Sequence, residues 1–222
     1  MDARNAGTGY LALPDVGRGP GVLVLHSWWG LTPFFRGVCD RLAEAGYVAL
    51  APDLFDGSTA ATVEEAQQLL AGADANELAH LTRSGLQALR SIEITPDGAV
   101  GVIGFSMGAS LGLWLSARVP DDVAATVAFY GAQDIDFDGA RSAYLGHYAG
   151  EDDYVDQDEL VLLEADLHVL GLAPTFHHYP GTRHWFFEDD RPEHDAEAAA
   201  LAWDRTLAFL TEHLPVSAPS DG

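Results

Sequence analysis

The feature that most constrains the fold is an alternation that runs along the whole chain. Short apolar runs bounded by turn residues alternate with longer segments whose apolar residues recur every three or four positions. The short runs are typical of strands buried on both faces, and the longer segments are typical of helices that cross from one parallel strand to the next. The sequence therefore predicts an α/β fold, with a mainly parallel sheet flanked by helices on both faces.

The turn residues set the expected bounds of these elements. Strands are predicted at 21–25, 47–51, 99–103, 124–130, 142–148 and 175–179, and helices at 33–46, 62–91, 108–117, 158–170 and 193–213. Thr62 and Glu65 form a capping-box pattern at the start of the longest helical segment, and the residues at 72–74 predict a break within it. No linker divides the chain, so we predict a single domain over 1–214 and a flexible tail over 215–222.

A pentapeptide with the pattern G-x-S-x-G lies between a predicted strand and a predicted helix. It reads Gly104-Phe105-Ser106-Met107-Gly108. In this position the pattern is typical of a nucleophile elbow, a sharp turn whose strained backbone exposes the central serine hydroxyl. Glycine is needed on both sides, because side chains there would collide with the neighbouring strand and helix. The same residues can also form a plain tight turn, but their position favours Ser106 as a nucleophile.

A serine hydroxyl is a poor nucleophile until a base removes its proton, and the usual base is a histidine oriented by a carboxylate. In chains with this elbow the order is nucleophile, acid and histidine. His184 fits this order, because it lies in the loop after the strand at 175–179, at the sheet edge where the elbow opens. His168 falls inside a predicted helix, and His177 and His178 fall inside the strand. We therefore predict that His184 is the base.

The acid is expected between the nucleophile and the histidine. Glu151, Asp152 and Asp153 follow the predicted strand at 142–148 and offer three adjacent carboxylates, of which one can face the histidine. Such a cluster can also be a solvated turn or a weak cation site. A carboxylate at a strand end is what the mechanism needs, and we predict Asp152, with Asp153 as the alternative.

An oxyanion hole requires two convergent backbone N–H donors. The residue after the nucleophile, Met107, is expected to supply one, and Trp28, in the loop after the strand at 21–25, the other. The residues expected to line the substrate pocket are Ser27, Trp29, Phe34 and Trp185. The adjacent aromatic residues of this set, with Phe35, can equally belong to the core.

Four segments together resemble the dienelactone hydrolase family of α/β-hydrolases. They are LHSWWGL at 25–31, AGYVALAPDL at 45–54, GFSMG at 104–108 and YPGTRHWF at 179–186, and the resemblance extends over 9–214. It implies an α/β-hydrolase fold with a minimal cap domain or none. It also aligns Ser106, Asp152 and His184 with the nucleophile, the acid and the base of the family.

The sequence departs from the family pattern at two places. The dienelactone hydrolases proper have a cysteine nucleophile and a glutamate in the early loop, and this chain has Ser106 and Ser27 there. The family arginine that binds the substrate carboxylate lies four residues after the histidine, where this chain has Glu188, followed by Asp189 and Asp190. We therefore expect an uncharged substrate, because these carboxylates would repel an anionic one unless Arg183 or Arg83 compensates.

Composition excludes several classes of function. The chain has 34 acidic residues against 11 arginines and no lysine, giving a formal net charge of −23. Such a charge repels nucleic acid and anionic lipid, so no nucleic-acid or membrane partner is expected. The lone Cys39 cannot close a disulfide within the chain, which predicts a cytoplasmic protein. No metal-ligand spacing of Cys and His occurs, so neither a metal nor another cofactor is expected.

These observations together predict a serine hydrolase that cleaves a small-molecule ester or lactone through an acyl-enzyme intermediate. An acyltransferase or a thioesterase would use the same three residues and stays open as an alternative. A non-catalytic ligand-binding protein is a further alternative, since a fold does not by itself fix a function. No feature of the sequence sets an oligomeric state.

Overall fold

A computed structural model describes residues 4–5, 9–92 and 98–214. Its helices and strands, in chain order, are β1 (Arg4–Asn5), β2 (Gly9–Ala12), β3 (Gly21–Leu25), α1 (Pro33–Glu44), β4 (Val48–Pro52), α2 (Val63–Gly72), α3 (Ala75–Ser91), β5 (Val100–Phe105), α4 (Met107–Arg118), β6 (Val123–Phe129), β7 (Ala143–Ala149), α5 (Gln157–Val169), β8 (Thr175–Tyr179) and α6 (Ala196–His213). The expected tail at 215–222 lies outside the described residues, and the domain boundary at 214 stays a prediction.

The strands form one sheet in the order β1-β2-β4-β3-β5-β6-β7-β8. All neighbours from β4 to β8 run parallel, whereas β1 and β2 join antiparallel at one edge. The mainly parallel sheet is therefore confirmed. The two edge strands were missed, because Gly9–Ala12 is short and its register depends on its pairing with β4 rather than on its own pattern.

The helices cover both faces of the sheet, as predicted. On one face, α1 and α6 pack on a cluster that includes Val24, Ile103 and Phe129. On the other face, α3 and α4 pack on a cluster that includes Leu23 and Val102. Alternate residues of each strand point to opposite faces, so one apolar strand supplies both clusters.

The helix ends follow the predicted capping signals, with one difference. Thr62 and Glu65 form the predicted capping box at the start of α2, and Asp74 accepts backbone hydrogen bonds at the start of α3 after the predicted break. The last helix begins at Ala196 rather than at 193, because Asp195 is its cap and the Asp195 N–H donates to the Phe186 carbonyl.

The parallel strands bring six loops to one edge of the sheet. The loops that follow β3, β4, β5, β6, β7 and β8 all leave from the carboxyl ends of neighbouring strands. In open α/β sheets this edge is where ligands bind. No helix in the described ranges is long and apolar enough to cross a lipid bilayer.

Candidate active site

Ser106 occupies a strained turn between β5 and α4. Its φ is +51° and its ψ is −113°, values that a residue with a side chain rarely adopts. The turn is held in place by the Ser106 N–H, which donates to the Phe129 carbonyl at 2.9 Å. A strained backbone of this kind persists only where its surroundings enforce it, and such sites cluster where chemistry takes place.

The two glycines of the pentapeptide have no room for a side chain. A Cβ at Gly104 would overlap the carbonyl of Gly108, and a Cβ at Gly108 would overlap the carbonyl of Leu25. The predicted reason for these glycines is therefore confirmed. The contact also sets the start of α4 directly against the end of β3 and the loop that follows it.

His184 lies between Ser106 and Asp152. Its Nε2 is 2.9 Å from the Ser106 Oγ, and its Nδ1 is 2.8 Å from the Asp152 Oδ2. The His184 side chain is 4% exposed and the Asp152 side chain 3% exposed. With a carboxylate on the Nδ1 side, the Nδ1–H donates to Asp152 and the Nε2 lone pair faces the serine hydroxyl. This is the tautomer that a general base requires.

Asp152 is held by its own loop as well as by the histidine. Its Oδ1 accepts hydrogen bonds from the backbone N–H of Tyr154 at 2.9 Å and of Val155 at 3.1 Å. Asp153, the alternative acid, is exposed on the same loop. Of the two aspartates, the structure brings Asp152 to the histidine.

The two predicted oxyanion donors lie on adjacent segments. Met107 is the first residue of α4, where backbone N–H groups have no partner within the helix. Trp28 lies in the loop after β3, against which Gly108 packs. In the part of the chain that the structure describes, neither the Met107 N–H nor the Trp28 N–H donates to a protein acceptor.

A buried histidine fixes the loop that carries Trp28. Burial lowers the pKa of His26 to about 4, so the ring is neutral near pH 7. Its Nδ1–H donates to the Ser27 carbonyl at 2.7 Å, and its Nε2 accepts from the Leu54 N–H at 3.0 Å. His26 thereby ties the loop after β3 to the loop after β4, a role that the sequence did not reveal.

Aromatic side chains pack next to the histidine. The Tyr154 ring is 5.0 Å from the His184 ring, 4.9 Å from the Trp185 ring and 5.5 Å from the Trp28 ring, between centroids. Tyr154 is 48% exposed, whereas Trp185 is buried. These three rings, Trp28, Tyr154 and Trp185, are called the aromatic wall below. Tyr154 was missed, although its position two residues after the predicted acid was an available signal.

The predicted pocket residues differ in their surroundings. Trp29 and Trp185 contact each other, with ring centroids 5.2 Å apart. Ser27 is fully buried, and its hydroxyl has no partner within the described residues. Phe34 packs its ring against Phe35, Phe105 and Phe187, so it is part of the core that supports the elbow. It also lines a cleft of about 440 Å³ with Asp189 and Asp190.

Glu188 does not present the open negative charge that the sequence suggested. It is fully buried, and its Oε1 accepts a hydrogen bond from the Tyr130 hydroxyl at 2.9 Å. Burial raises its pKa to about 8, so the carboxyl is mostly protonated at neutral pH. Asp189 and Asp190 are exposed next to it.

Tyr130 is a second residue of the site that sequence reasoning missed. It was predicted as the last residue of a strand, but β6 ends at Phe129 and Tyr130 has a φ of +38°. Its ring centroid lies 4.9 Å from that of His184. The available signal was its position at the carboxyl end of a predicted parallel strand, the position that Ser106 has after β5.

The described residues contain no group of three or more His, Cys, Asp or Glu side chains placed to hold a metal ion. A weak cation site was one alternative for the acidic loop after β7. Among the residues described, the carboxylates of that loop form no such group.

Comparison with known proteins gives one consistent family. The model of the dienelactone hydrolase family matches residues 8–214. Protein usf of Aquifex pyrophilus is 32% identical over 216 residues, and a putative carboxymethylenebutenolidase of Aquifex aeolicus is 28% identical over 216 residues. Each of these matches covers 93% of both chains.

A solved structure shares the fold. The crystal structure of a putative dienelactone hydrolase from Klebsiella pneumoniae superposes with a TM-score of 0.80 at 22% identity, covering 92% of each chain. The family match spans the elbow, the acid loop and the histidine loop described above. The chain therefore belongs to the dienelactone hydrolase family, and it is an ester or lactone hydrolase with an α/β-hydrolase fold.

Proposed function

We propose that the chain cleaves a small, uncharged ester or lactone through a Ser106–His184–Asp152 triad and an acyl-enzyme intermediate. The observation that carries the proposal is the unbroken chain of hydrogen bonds from the Ser106 Oγ through the His184 ring to the Asp152 carboxylate, with distances of 2.9 Å and 2.8 Å. The strained φ of Ser106 supports it, because the strain presents the hydroxyl to solvent rather than to the core.

In the first half of the reaction, the Ser106 Oγ attacks the substrate carbonyl carbon while the His184 Nε2 takes the hydroxyl proton. The carbonyl oxygen becomes an oxyanion, which the N–H groups of Trp28 and Met107 stabilise. Asp152 stabilises the imidazolium that forms. The protonated Nε2 then donates its proton to the leaving oxygen, the bond from carbon to that oxygen breaks, and the acyl group stays on Ser106.

In the second half, water replaces the leaving group. The His184 Nε2 takes a proton from water, and the water oxygen attacks the acyl carbon. The tetrahedral intermediate collapses, the bond to the Ser106 Oγ breaks, and the serine recovers its proton from His184. With a lactone, the alcohol and the acid products belong to one molecule.

The surroundings of the triad favour an uncharged substrate with a planar or aromatic part. The aromatic wall offers ring faces and edges, which pack well on planar groups. Asp189 is an exposed charge on the histidine loop next to Glu188 and disfavours an anion, whereas Asp190 is paired with Arg191.

We also propose a cytoplasmic location for this activity. Cys39 is a buried free thiol in α1, and burial raises its pKa far above its ordinary value. The fold therefore needs no oxidising compartment, which agrees with the single cysteine of the sequence.

The test is labelling with a fluorophosphonate probe, read by intact mass, together with turnover of 4-nitrophenyl acetate. Ser106→Ala and His184→Ala are compared with two matched controls. Ser110→Ala removes a serine one turn along α4, whose hydroxyl donates to the Ala132 carbonyl. His178→Ala removes an exposed histidine of β8.

We expect the wild-type chain and both controls to label and to turn over the ester, and Ser106→Ala and His184→Ala to do neither above about one part in 10³ of the wild-type rate. Labelling of Ser106→Ala at the wild-type level would show that another residue is the nucleophile. A wild-type chain that neither labels nor turns over the ester would favour a non-catalytic binding protein.

A further inference from the structure

Glu188 and Tyr130 form a buried pair beside the triad that the proposed reaction does not use. Both side chains are fully buried, and the Tyr130 hydroxyl donates to the Glu188 Oε1 at 2.9 Å. Neither side chain touches the Ser106 Oγ or the Asp152 carboxylate within hydrogen-bonding distance. Moving both polar groups out of water costs free energy, which the hydrogen bond between them offsets. A buried polar pair next to the site therefore raises the question of what it does there.

Tyr130 belongs to a segment that is fixed against the nucleophile. The residue before it, Phe129, accepts the Ser106 N–H, and a Cβ on the residue after it, Gly131, would lie 2.5 Å from the Ser106 carbonyl oxygen. The Tyr130 N–H donates to the His147 carbonyl at 2.8 Å, which helps to hold its positive φ. The 129–131 segment is therefore a rigid neighbour of the elbow.

Glu188 belongs to the loop that carries the base. Two turns follow each other there: the Phe186 N–H donates to the Arg183 carbonyl at 3.1 Å, and the Glu188 N–H donates to the Trp185 carbonyl at 2.9 Å. Glu188 lies four residues after His184 on this loop. Tyr130 contacts both residues, with its hydroxyl 2.9 Å from the Glu188 Oε1 and its ring centroid 4.9 Å from that of the imidazole.

We propose that the hydrogen bond from Tyr130 to Glu188 fastens the histidine loop to the nucleophile elbow, and that it thereby holds the His184 Nε2 at bonding distance from the Ser106 Oγ. Both residues are positioning residues, acting through His184. The inference deepens the proposed function and rests on it. It also explains how a glutamate is accommodated four residues after the base without placing an open charge in the site.

The charged groups around Glu188 fit this role. Burial raises its pKa, the hydrogen bond from Tyr130 lowers it, Asp190 and Glu193 raise it, and Arg191 lowers it. Burial and Glu188 both raise the pKa of Tyr130. The bond is therefore one between neutral groups at neutral pH.

The test compares three variants of the pair with one structural control. Tyr130→Phe removes the hydroxyl and keeps the ring. Glu188→Gln keeps an acceptor oxygen, and Glu188→Leu removes it. The control is Tyr144→Phe, which removes another buried hydroxyl, 2.9 Å from the Ser116 Oγ between β7 and α4. The readouts are kcat and KM for 4-nitrophenyl acetate, the rate of fluorophosphonate labelling and the melting temperature.

We expect Tyr130→Phe and Glu188→Leu to lower kcat and the labelling rate at least about tenfold with KM changed less than about threefold, and Glu188→Gln to keep both rates within about threefold. Tyr144→Phe is expected to lower the melting temperature and leave both rates unchanged. Loss of the Tyr130–Glu188 hydrogen bond is expected to slow the attack by Ser106, because that step needs His184 as the base. Loss of stability alone, as in Tyr144→Phe, is not expected to slow it.

Two outcomes would overturn the inference while leaving the proposed function intact. In one, a folded Tyr130→Phe keeps wild-type kcat and labelling, as the control does. In the other, Glu188→Gln loses as much rate as Glu188→Leu, so that an acceptor at this position is not what matters. A wild-type chain without labelling or turnover would overturn the proposed function, and this inference with it.

Discussion

Gly108 lies so close to Leu25 that a Cβ on the glycine would overlap the leucine carbonyl oxygen. This contact joins the first turn of α4 to the end of β3, and it keeps the Met107 N–H next to the loop that carries Trp28. The distance between the two proposed oxyanion donors therefore depends on a residue without a side chain.

Gly108→Ala is expected to damage both stability and activity. The added methyl group must push α4 away from β3, which costs about 1–3 kcal/mol of the free energy of unfolding by the usual range for overpacking. The oxyanion donors move apart with it, so kcat for an ester falls more than KM changes. Urea unfolding and ester kinetics measure the two effects separately.

Gly37→Ala is the matched control for that substitution. Gly37 is inside α1 and has open space where a Cβ would be, so alanine there is expected to add about 0.5–1 kcal/mol of stability. If Gly108→Ala behaved like Gly37→Ala, the close packing of α4 on β3 would not exist in solution.

The two candidate acids are expected to differ sharply. Asp152→Asn replaces the acceptor of the His184 Nδ1–H, and an amide there favours the wrong tautomer of the ring, so kcat is expected to fall on the order of 10³- to 10⁴-fold. Asp153→Asn changes an exposed carboxylate and is expected to leave kcat within about twofold. Steady-state ester kinetics on both variants measure the difference, and equal losses would contradict the assignment of Asp152.

The juxtaposition of the three residues of the proposed triad could be predicted because each is a local feature of the sequence. Ser106, Asp152 and His184 each follow a strand whose apolar run is visible, and parallel strands bring such positions to one edge whatever else the fold does. The capping box at Thr62 and the helix break at 72–74 are equally local. Each of these features depends on a few neighbouring residues, so the local sequence pattern was enough to predict it.

The features that were missed depend on contacts between distant segments. Tyr130 continues the apolar run of β6, and the sequence around it does not show that its backbone turns to a positive φ next to the histidine. Glu188 is an acidic residue next to two aspartates in the sequence, and its buried carboxyl is bonded to a tyrosine 58 positions earlier in the chain. Gly9–Ala12 becomes a strand only by pairing with β4.

Tyr154 is expected to set a preference for aromatic esters. Its ring stands exposed at the site and contacts His184, Trp185 and Trp28, so Tyr154→Ala removes the most accessible part of the aromatic wall. An aromatic pair is worth about 0.5–1.5 kcal/mol, which corresponds to a loss of roughly two- to tenfold in kcat/KM for phenyl acetate. Ethyl acetate has no ring to lose contact with, and its kcat/KM is expected to change less than twofold.

Tyr154→Phe is the control for that substitution, since it keeps the ring and removes the hydroxyl. It is expected to retain the wild-type ratio of the two kcat/KM values. The backbone N–H of Tyr154 still donates to Asp152 in either variant, so the acid stays in place. Equal losses for phenyl acetate and ethyl acetate in Tyr154→Ala would mean that the ring does not select the substrate.

The buried carboxyl of Glu188 is expected to make the stability of the protein depend on pH. Its pKa rises from an ordinary value of 4.5 to about 8 on folding, because burial disfavours the ionised form. Below pH 4.5 the carboxyl is protonated in both the folded and the unfolded chain. Between pH 4.5 and pH 8 the unfolded chain releases a proton that the folded chain keeps. The contribution of Glu188 to the free energy of unfolding therefore falls as pH rises through this range. Glu188→Gln removes the titrating group. The stability of the variant relative to wild type is therefore expected to increase from pH 4.5 to pH 8 and then level off. Urea unfolding of both proteins at several pH values measures the difference. A difference that does not change over this window would mean that Glu188 is ionised in the folded protein at neutral pH.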